Sequence, residues 1–180
     1  KYCSLLFLLF FISNSNAEFK DKIIKNLKNT NNLDFKFEQN INGKIENGNC
    51  TIEYPKKIFC EYARSSNKIL VSNGKSLVVK TRTSYYRYPL AKTPLNFILD
   101  KNFLIKKING LEERIVDKRL INYTILDKDT ELKIFFDAQT YDLVGWQNTD
   151  IYQNFNITFI SSIRKNRVLK KNLFKIPSQN

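Results

Sequence analysis

Cys50-Thr-Ile-Glu-Tyr-Pro-Lys-Lys-Ile-Phe-Cys60 reads as a hairpin that states its own register. Pairing about Pro55 sets Cys50 opposite Cys60, Ile52 opposite Ile58 and Glu53 opposite Lys57. Successive side chains of a strand point to opposite faces, so apolar residues meet apolar ones and a carboxylate meets an ammonium. Two cysteines placed opposite each other in this way predict a cross-strand disulfide, which closes a short loop and contributes about 2–3 kcal/mol. Its role reads as a staple, with a redox function the alternative, disfavoured because the spacing is not that of a Cys-x-x-Cys motif.

The same period of two continues on both sides of the hairpin. Upstream, Asp34-Phe-Lys-Phe-Glu-Gln39 alternates and puts Phe35 and Phe37 on one face. Asn42-Gly43 and Asn47-Gly48 read as hairpin punctuation. Downstream, strands are expected over 68–72 and 76–81 about an Asn73-Gly74 turn, and over 85–88. Before all of these, residues 18–31 carry Phe19, Ile23, Ile24 and Leu27 on one helical stripe with lysines elsewhere. Thr93-Pro94 interrupts the strands with a capping residue followed by proline, so a short helix is expected to run to Asp100. Further strands follow over 113–117, 121–126, 131–136, 143–149 and 151–163, with turns at Gly110 and Asp127-Lys-Asp129. The tail over 173–177 reads as an edge strand or a docked extension.

One helix, many short antiparallel strands and an inserted helix make an α+β chain, an incomplete antiparallel β-barrel or half-barrel. A sheet curled around a helix either fills its inside with side chains or leaves it hollow. Periodicity does not separate these cases, because core aromatics and cavity-lining aromatics alternate alike. Trp146 stands in the same position, belonging either to the cavity or to the sheet core.

The N-terminus bears on location. Lys1 precedes an unbroken apolar run from Leu5 to Ile12, and Ser15-Asn16-Ala17 offers small residues to a signal peptidase. Such a run is too short to span a bilayer and reads as a secretory signal over 1–17; a buried N-terminal helix is the alternative. Cys3 lies before the run and not at its end, so no lipidation site is expected. The mature chain, 18–180, would then be one exported domain whose remaining cysteines meet an oxidising compartment.

Formal net charge is +13 with 30 Lys and Arg against 17 Asp and Glu. A basic balance of this size often marks nucleic-acid binding, but here the lysines are scattered and the chain is expected to be exported. No nucleic-acid partner is expected; any attraction is toward anionic lipid surfaces or acidic partners. The chain contains no histidine, which removes the commonest general base and metal ligand. With Cys50 and Cys60 bonded, thiolate metal sites go as well. No acidic pair is picked out by its spacing, and there is no phosphate-cradling glycine loop. The chain is therefore expected to be no enzyme and to hold no metal or cofactor, and it is expected to be a monomer.

Several segments, taken in order, carry a resemblance. Phe35-x-Phe37-x-Gln39, the hairpin at Tyr54-Pro55, Ile69-Leu-Val-Ser-Asn-Gly-Lys-Ser-Leu77 and Thr93-Pro94-Leu95 follow the order and spacing of outer-membrane lipoprotein carrier proteins, the LolA family. Phe174-x-Ile176-Pro177 is similar to that family's closing strand. The resemblance implies an incomplete barrel covered by a lid made of the N-terminal helix and the inserted helix, with an apolar space between them for acyl chains. On that reading Phe35, Phe37, Ile52, Tyr54, Ile58, Leu70, Leu77 and Val79 line the cavity. Ile23 and Leu27 face it from the first part of the lid, and Leu95, Ile98 and Leu99 from the second.

It further implies a periplasmic shuttle that takes acylated lipoproteins from an inner-membrane releasing transporter to an outer-membrane acceptor. Two alternatives keep the fold: a carrier of another lipid or hydrophobic ligand, and a ligand-sensing regulatory domain. The chain departs from the family at one position. Many members carry an arginine immediately before the hairpin proline, where it hydrogen-bonds the lid and helps close the empty cavity; Tyr54 stands there instead. A phenol offers one donor where a guanidinium offers five. Either a Tyr54 hydroxyl bond closes the lid, with Arg64 as a nearby substitute, or the resting state is more open.

Overall fold

The computed structural model describes residues 15–64, 67–127, 130–149 and 154–179. Residues 1–14 of the expected export signal lie outside that range. Helix α1 (Ser15–Lys28) leads into six strands: β1 (Asn32–Ile41), β2 (Lys44–Glu53), β3 (Lys57–Tyr62), β4 (Ile69–Asn73), β5 (Ser76–Lys80) and β6 (Tyr85–Pro89). A single 3-10 turn, Leu90–Lys92, and helices α2 (Leu95–Ile98) and α3 (Lys101–Asn109) then cross over. Five more strands follow: β7 (Arg114–Val116), β8 (Leu120–Asp127), β9 (Thr130–Asp137), β10 (Leu143–Thr149) and β11 (Phe155–Lys165).

The strands form one open sheet in the order β6-β5-β4-β3-β2-β1-β11-β10-β9-β8-β7. Two meanders are thus joined where β1 pairs antiparallel with β11. Within each meander the strands that follow one another in sequence pair antiparallel. The sheet curls over α1 and α3 but does not close, so the expected half-barrel is the observed fold.

The concave face and the helices share one core that includes Ile23 and Leu27 of α1 and Leu104 and Ile108 of α3. Asn26 ties α1 to the sheet: its carboxamide nitrogen donates to Asp142 Oδ1 at 2.8 Å, and its oxygen accepts from Lys165 Nζ at 2.9 Å. Helix α1 is thus fastened to the end of β11 and to the residue that precedes β10. Among the described residues no helix is long and apolar enough to cross a membrane.

Four expectations need correction. The helix expected over 18–31 ends at Lys28; Asn29 to Asn32 are poor helix formers, and Asn32 already pairs with Glu53. Asn47-Gly48 is no turn but lies inside β2. A Cβ on Gly48 would stand 2.8 Å from Phe37 Cε1 and 2.0 Å from the Glu61 carbonyl oxygen, so the missing side chain lets Phe37 and the next strand approach. The inserted helix is two helices. Thr93 is extended and does not cap; its hydroxyl donates to the Leu90 carbonyl oxygen at 2.9 Å. The real cap is Asp100, whose carboxylate accepts from Phe103 N at 3.1 Å and starts α3.

The tail adds no strand. It crosses the convex face of the first meander, where Tyr85 donates to the Pro177 carbonyl oxygen at 3.3 Å and Lys80 Nζ to that of Ser178 at 2.7 Å. That face carries Val71 and Val78, both buried although they point away from the main core. Covering them with a docked tail removes apolar surface from water, whereas a strand at the sheet edge would leave them exposed.

Candidate functional site

The Cys50–Cys60 hairpin folds in the register its sequence dictates, with Ile52 opposite Ile58 and Glu53 opposite Lys57. A disulfide joins Cys50 to Cys60, with S–S 2.01 Å. Above this hairpin the concave face is not filled. A cavity of about 330 Å³ lies between the first meander and the segment that runs through Thr93 and Pro94 into α2. Phe35, Phe37, Ile58, Leu70, Leu77 and Val79 line it from the sheet, and Leu95 and Ile98 from α2. The two half-cystines contribute to its floor, and Trp146 serves both the cavity and the adjoining core. At the open edge, Tyr88 and Tyr86 pair with Leu77 and Val79 and are about half exposed, so aromatic surface extends from the cavity to solvent.

Five of the expected lining residues lie elsewhere. Ile52, Tyr54, Ile23, Leu27 and Leu99 are buried in the packed core beside the cavity. Half of the concave face is thus solid and half hollow. The α1 residues point at the right face of the sheet, yet α1 and α3 fill that region with side chains.

The hairpin is tied to α2 and α3 by a residue two positions beyond Tyr54. The Tyr54 hydroxyl is buried and has no hydrogen-bond partner among the described residues, and burial pushes its pKa far above the ordinary tyrosine value. Arg64 is exposed beyond the Tyr62 end of β3, at the opposite end of that strand from Tyr54, so it takes no part. Lys56, just after Pro55, makes the connection instead. Its backbone N–H donates to the Leu99 carbonyl oxygen at 2.7 Å. Its ammonium lies 3.2 Å from Asn96 Oδ1 and 3.5 Å from Asp100 Oδ2. Lys56 adopts φ 67°, a left-handed conformation that a lysine keeps only when its surroundings hold it there. From the other side, Lys101 Nζ donates to the Thr30 carbonyl oxygen at 2.8 Å, tying α3 to the end of α1.

Sequence reasoning also missed a polar end to the cavity. Gln39, Tyr62, Lys68, Asn148, Asn156 and Thr158 line it there. The Gln39 amide nitrogen donates to Asn156 Oδ1 at 3.1 Å and to Thr158 Oγ1 at 3.3 Å. Lys68 donates to Glu46 at 2.6 Å and stands 4.0 Å above the Tyr62 ring. Burial works to raise the Glu46 carboxyl, but the hydrogen bond and charge of Lys68 outweigh it and hold it below the usual value. Burial keeps the Tyr62 phenol neutral, raised further by Glu46. The register that unites these residues joins β1 to β11, segments more than a hundred residues apart, and nothing local signals it. Among the described residues no group of three or more His, Cys, Asp or Glu side chains is placed to hold a metal ion.

The profile of the family described as Outer membrane lipoprotein carrier protein LolA matches residues 20–177. Solved structures share the fold at low identity. An uncharacterized conserved protein from Thermus thermophilus is 8% identical with a TM-score of 0.52, over 92% of this chain and 96% of that one. MucB is 8% identical with a TM-score of 0.52, over 93% of this chain and 64% of its own. A LolA superfamily protein from Nitrosomonas europaea is 7% identical with a TM-score of 0.48, over 89% of this chain and 97% of that one. A search of curated proteins finds no match to this sequence.

Proposed function

Because the chain belongs to the LolA family of outer membrane lipoprotein carrier proteins, we propose that it is a non-catalytic periplasmic carrier that holds the acyl chains of lipoproteins in its cavity. In this reading it receives them from an inner-membrane releasing transporter and delivers them to an outer-membrane acceptor. The observation that carries the proposal is the apolar cavity of about 330 Å³ between the curled sheet and α2. Each methylene moved from water into such a space contributes about 0.8 kcal/mol, and this needs no directional contact. The volume sits at the low end of the range for small-ligand sites. It suits one chain in the closed form, so a cargo with several chains requires the α2 side to open.

Lid opening in this chain runs through the Lys56 contacts with Asn96 and Asp100, while α1 stays fastened by Asn26. Release follows when the closed, empty form or the acceptor offers the lower free energy. The test is to purify the protein from the periplasm and identify by mass spectrometry what accompanies it. Triacylated lipoproteins support the shuttle. Phospholipid or another apolar compound alone shifts the reading to a carrier of that ligand. A protein that is empty and also fails to bind a fluorescent acyl chain refutes the proposal.

A further inference from the structure

One polar side chain in the cavity has no use in holding the fold. Asn148, on the inner face of β10, is only 5% exposed and lines the cavity, yet its carboxamide makes no hydrogen bond with any described residue. Its polar atoms open into the cavity, where a ligand can reach them, and are not sealed in the core as the Tyr54 hydroxyl is. Its neighbours form a shelf. Asn156 lies opposite Asn148 across β10 and β11, and Thr158 lies opposite Trp146 and next to Gln39. Gln39 occupies the Asn156 oxygen and bonds the Thr158 hydroxyl, which leaves the Asn156 N–H groups and the Thr158 hydroxyl proton to donate. The Lys68 ammonium is already bound by Glu46 at 2.6 Å.

We propose that this shelf seats the neutral carbonyl-bearing linkage, amide or ester, at the head of an acyl chain, with Asn148 as its main partner. The inference rests on the carrier reading and names the ligand class more closely. The chain occupies the apolar part between Phe35, Leu77, Val79 and α2. Its head reaches Asn148, which can donate to a carbonyl and accept from an amide N–H. A free carboxylate is disfavoured, because the cation beside the shelf is already neutralised.

The test is displacement of a bound fluorescent acyl probe from the protein by N-palmitoyl ethanolamine, methyl palmitate, palmitate and hexadecane. The wild type is expected to bind the amide and the ester more tightly than palmitate. Asn148→Leu should weaken the amide about tenfold, as one or two lost hydrogen bonds imply, and leave hexadecane unchanged or tighter. Thr158→Val should give a smaller loss in the same direction, and it decides the matter together with the wild-type ranking if Asn148→Leu fails to fold. Equal losses for hexadecane and the amide, no loss for the amide, or preference for palmitate would overturn the proposal. If the wild type binds none of the four compounds, the carrier reading falls and takes this one with it.

Discussion

Replacing Lys56 by methionine removes the charge that ties the hairpin to the lid while keeping most of the side-chain stem. The ammonium stands 3.5 Å from Asp100 Oδ2, with the two side chains 35% and 27% exposed, and 3.2 Å from Asn96 Oδ1. Solvent-exposed ion pairs contribute about 0.2–1 kcal/mol, and a partly buried pair belongs at the top of that range. A hydrogen bond from a charged donor adds roughly 1.5–3 kcal/mol, and ordering a lysine side chain takes back up to about 2 kcal/mol. The net is about 1–2 kcal/mol, a factor of roughly 5–30 in the opening equilibrium. The loss should be local, because Asp100 still caps α3 through Phe103 N and the backbone bond from Lys56 to Leu99 remains.

Native-state hydrogen exchange reads this directly. Amides of α2 and the first turn of α3 should lose about 5–30-fold protection in Lys56→Met, while those of β1 and β2 keep theirs. Raising salt to about 1 M, where screening acts over ~3 Å, should loosen the lid of the wild type and leave the variant unchanged. Unaltered protection in α2 and α3, or a parallel fall across β1 and β2, would refute Lys56 as the clasp.

Tyr54→Phe removes a buried hydroxyl that has no partner, so urea unfolding should show equal stability or a gain of up to about 1 kcal/mol, and cargo release should be unchanged; a clear loss of either would restore Tyr54 as a latch. The double variant Cys50→Ala, Cys60→Ala should cost about 2–3 kcal/mol in the same assay, and an unchanged urea midpoint would deny the staple a role. Glu46, whose folded pKa is depressed below its ordinary 4.5, contributes stability that is fully present above 4.5 and is lost as the pH falls through the lower folded value. Lys68→Met should remove that part of the acid sensitivity, and a stability profile against pH that is identical in the variant would show that Lys68 does not set it.

The alternation in Phe35, Phe37 and the 50–60 hairpin follows from bonds between near neighbours. A period of two, a proline at the turn and matched cross-strand residues fix a register without help from the rest of the chain. For the same reason parity puts Phe35, Phe37, Ile52, Ile58, Leu77 and Val79 on the concave face, but it does not separate those at the cavity from Ile52, which is packed in the core. The α3 helix was legible in principle, since Asp100 precedes Phe103, Leu104 and Ile108 at helical spacing. Thr93-Pro94 supplied a competing start seven residues earlier. The Asn47-Gly48 pair shows the opposite failure, a strong turn signal overridden by the need to seat Phe37.

What the residues determined by themselves is the half-barrel, the face each strand turns inward and the absence of histidine chemistry. Only the tertiary structure decided which part of that face is solid and which is hollow, because α1 and α3 fill one part while α2 roofs the other without filling it. It also put the contact with α2 and α3 at Lys56 and not at Tyr54, since the turn at Pro55 sends the two side chains in different directions. The polar end has the same origin. Gln39, Asn148, Asn156 and Thr158 come from strands that meet only when β11 returns to β1, and no local pattern records that meeting.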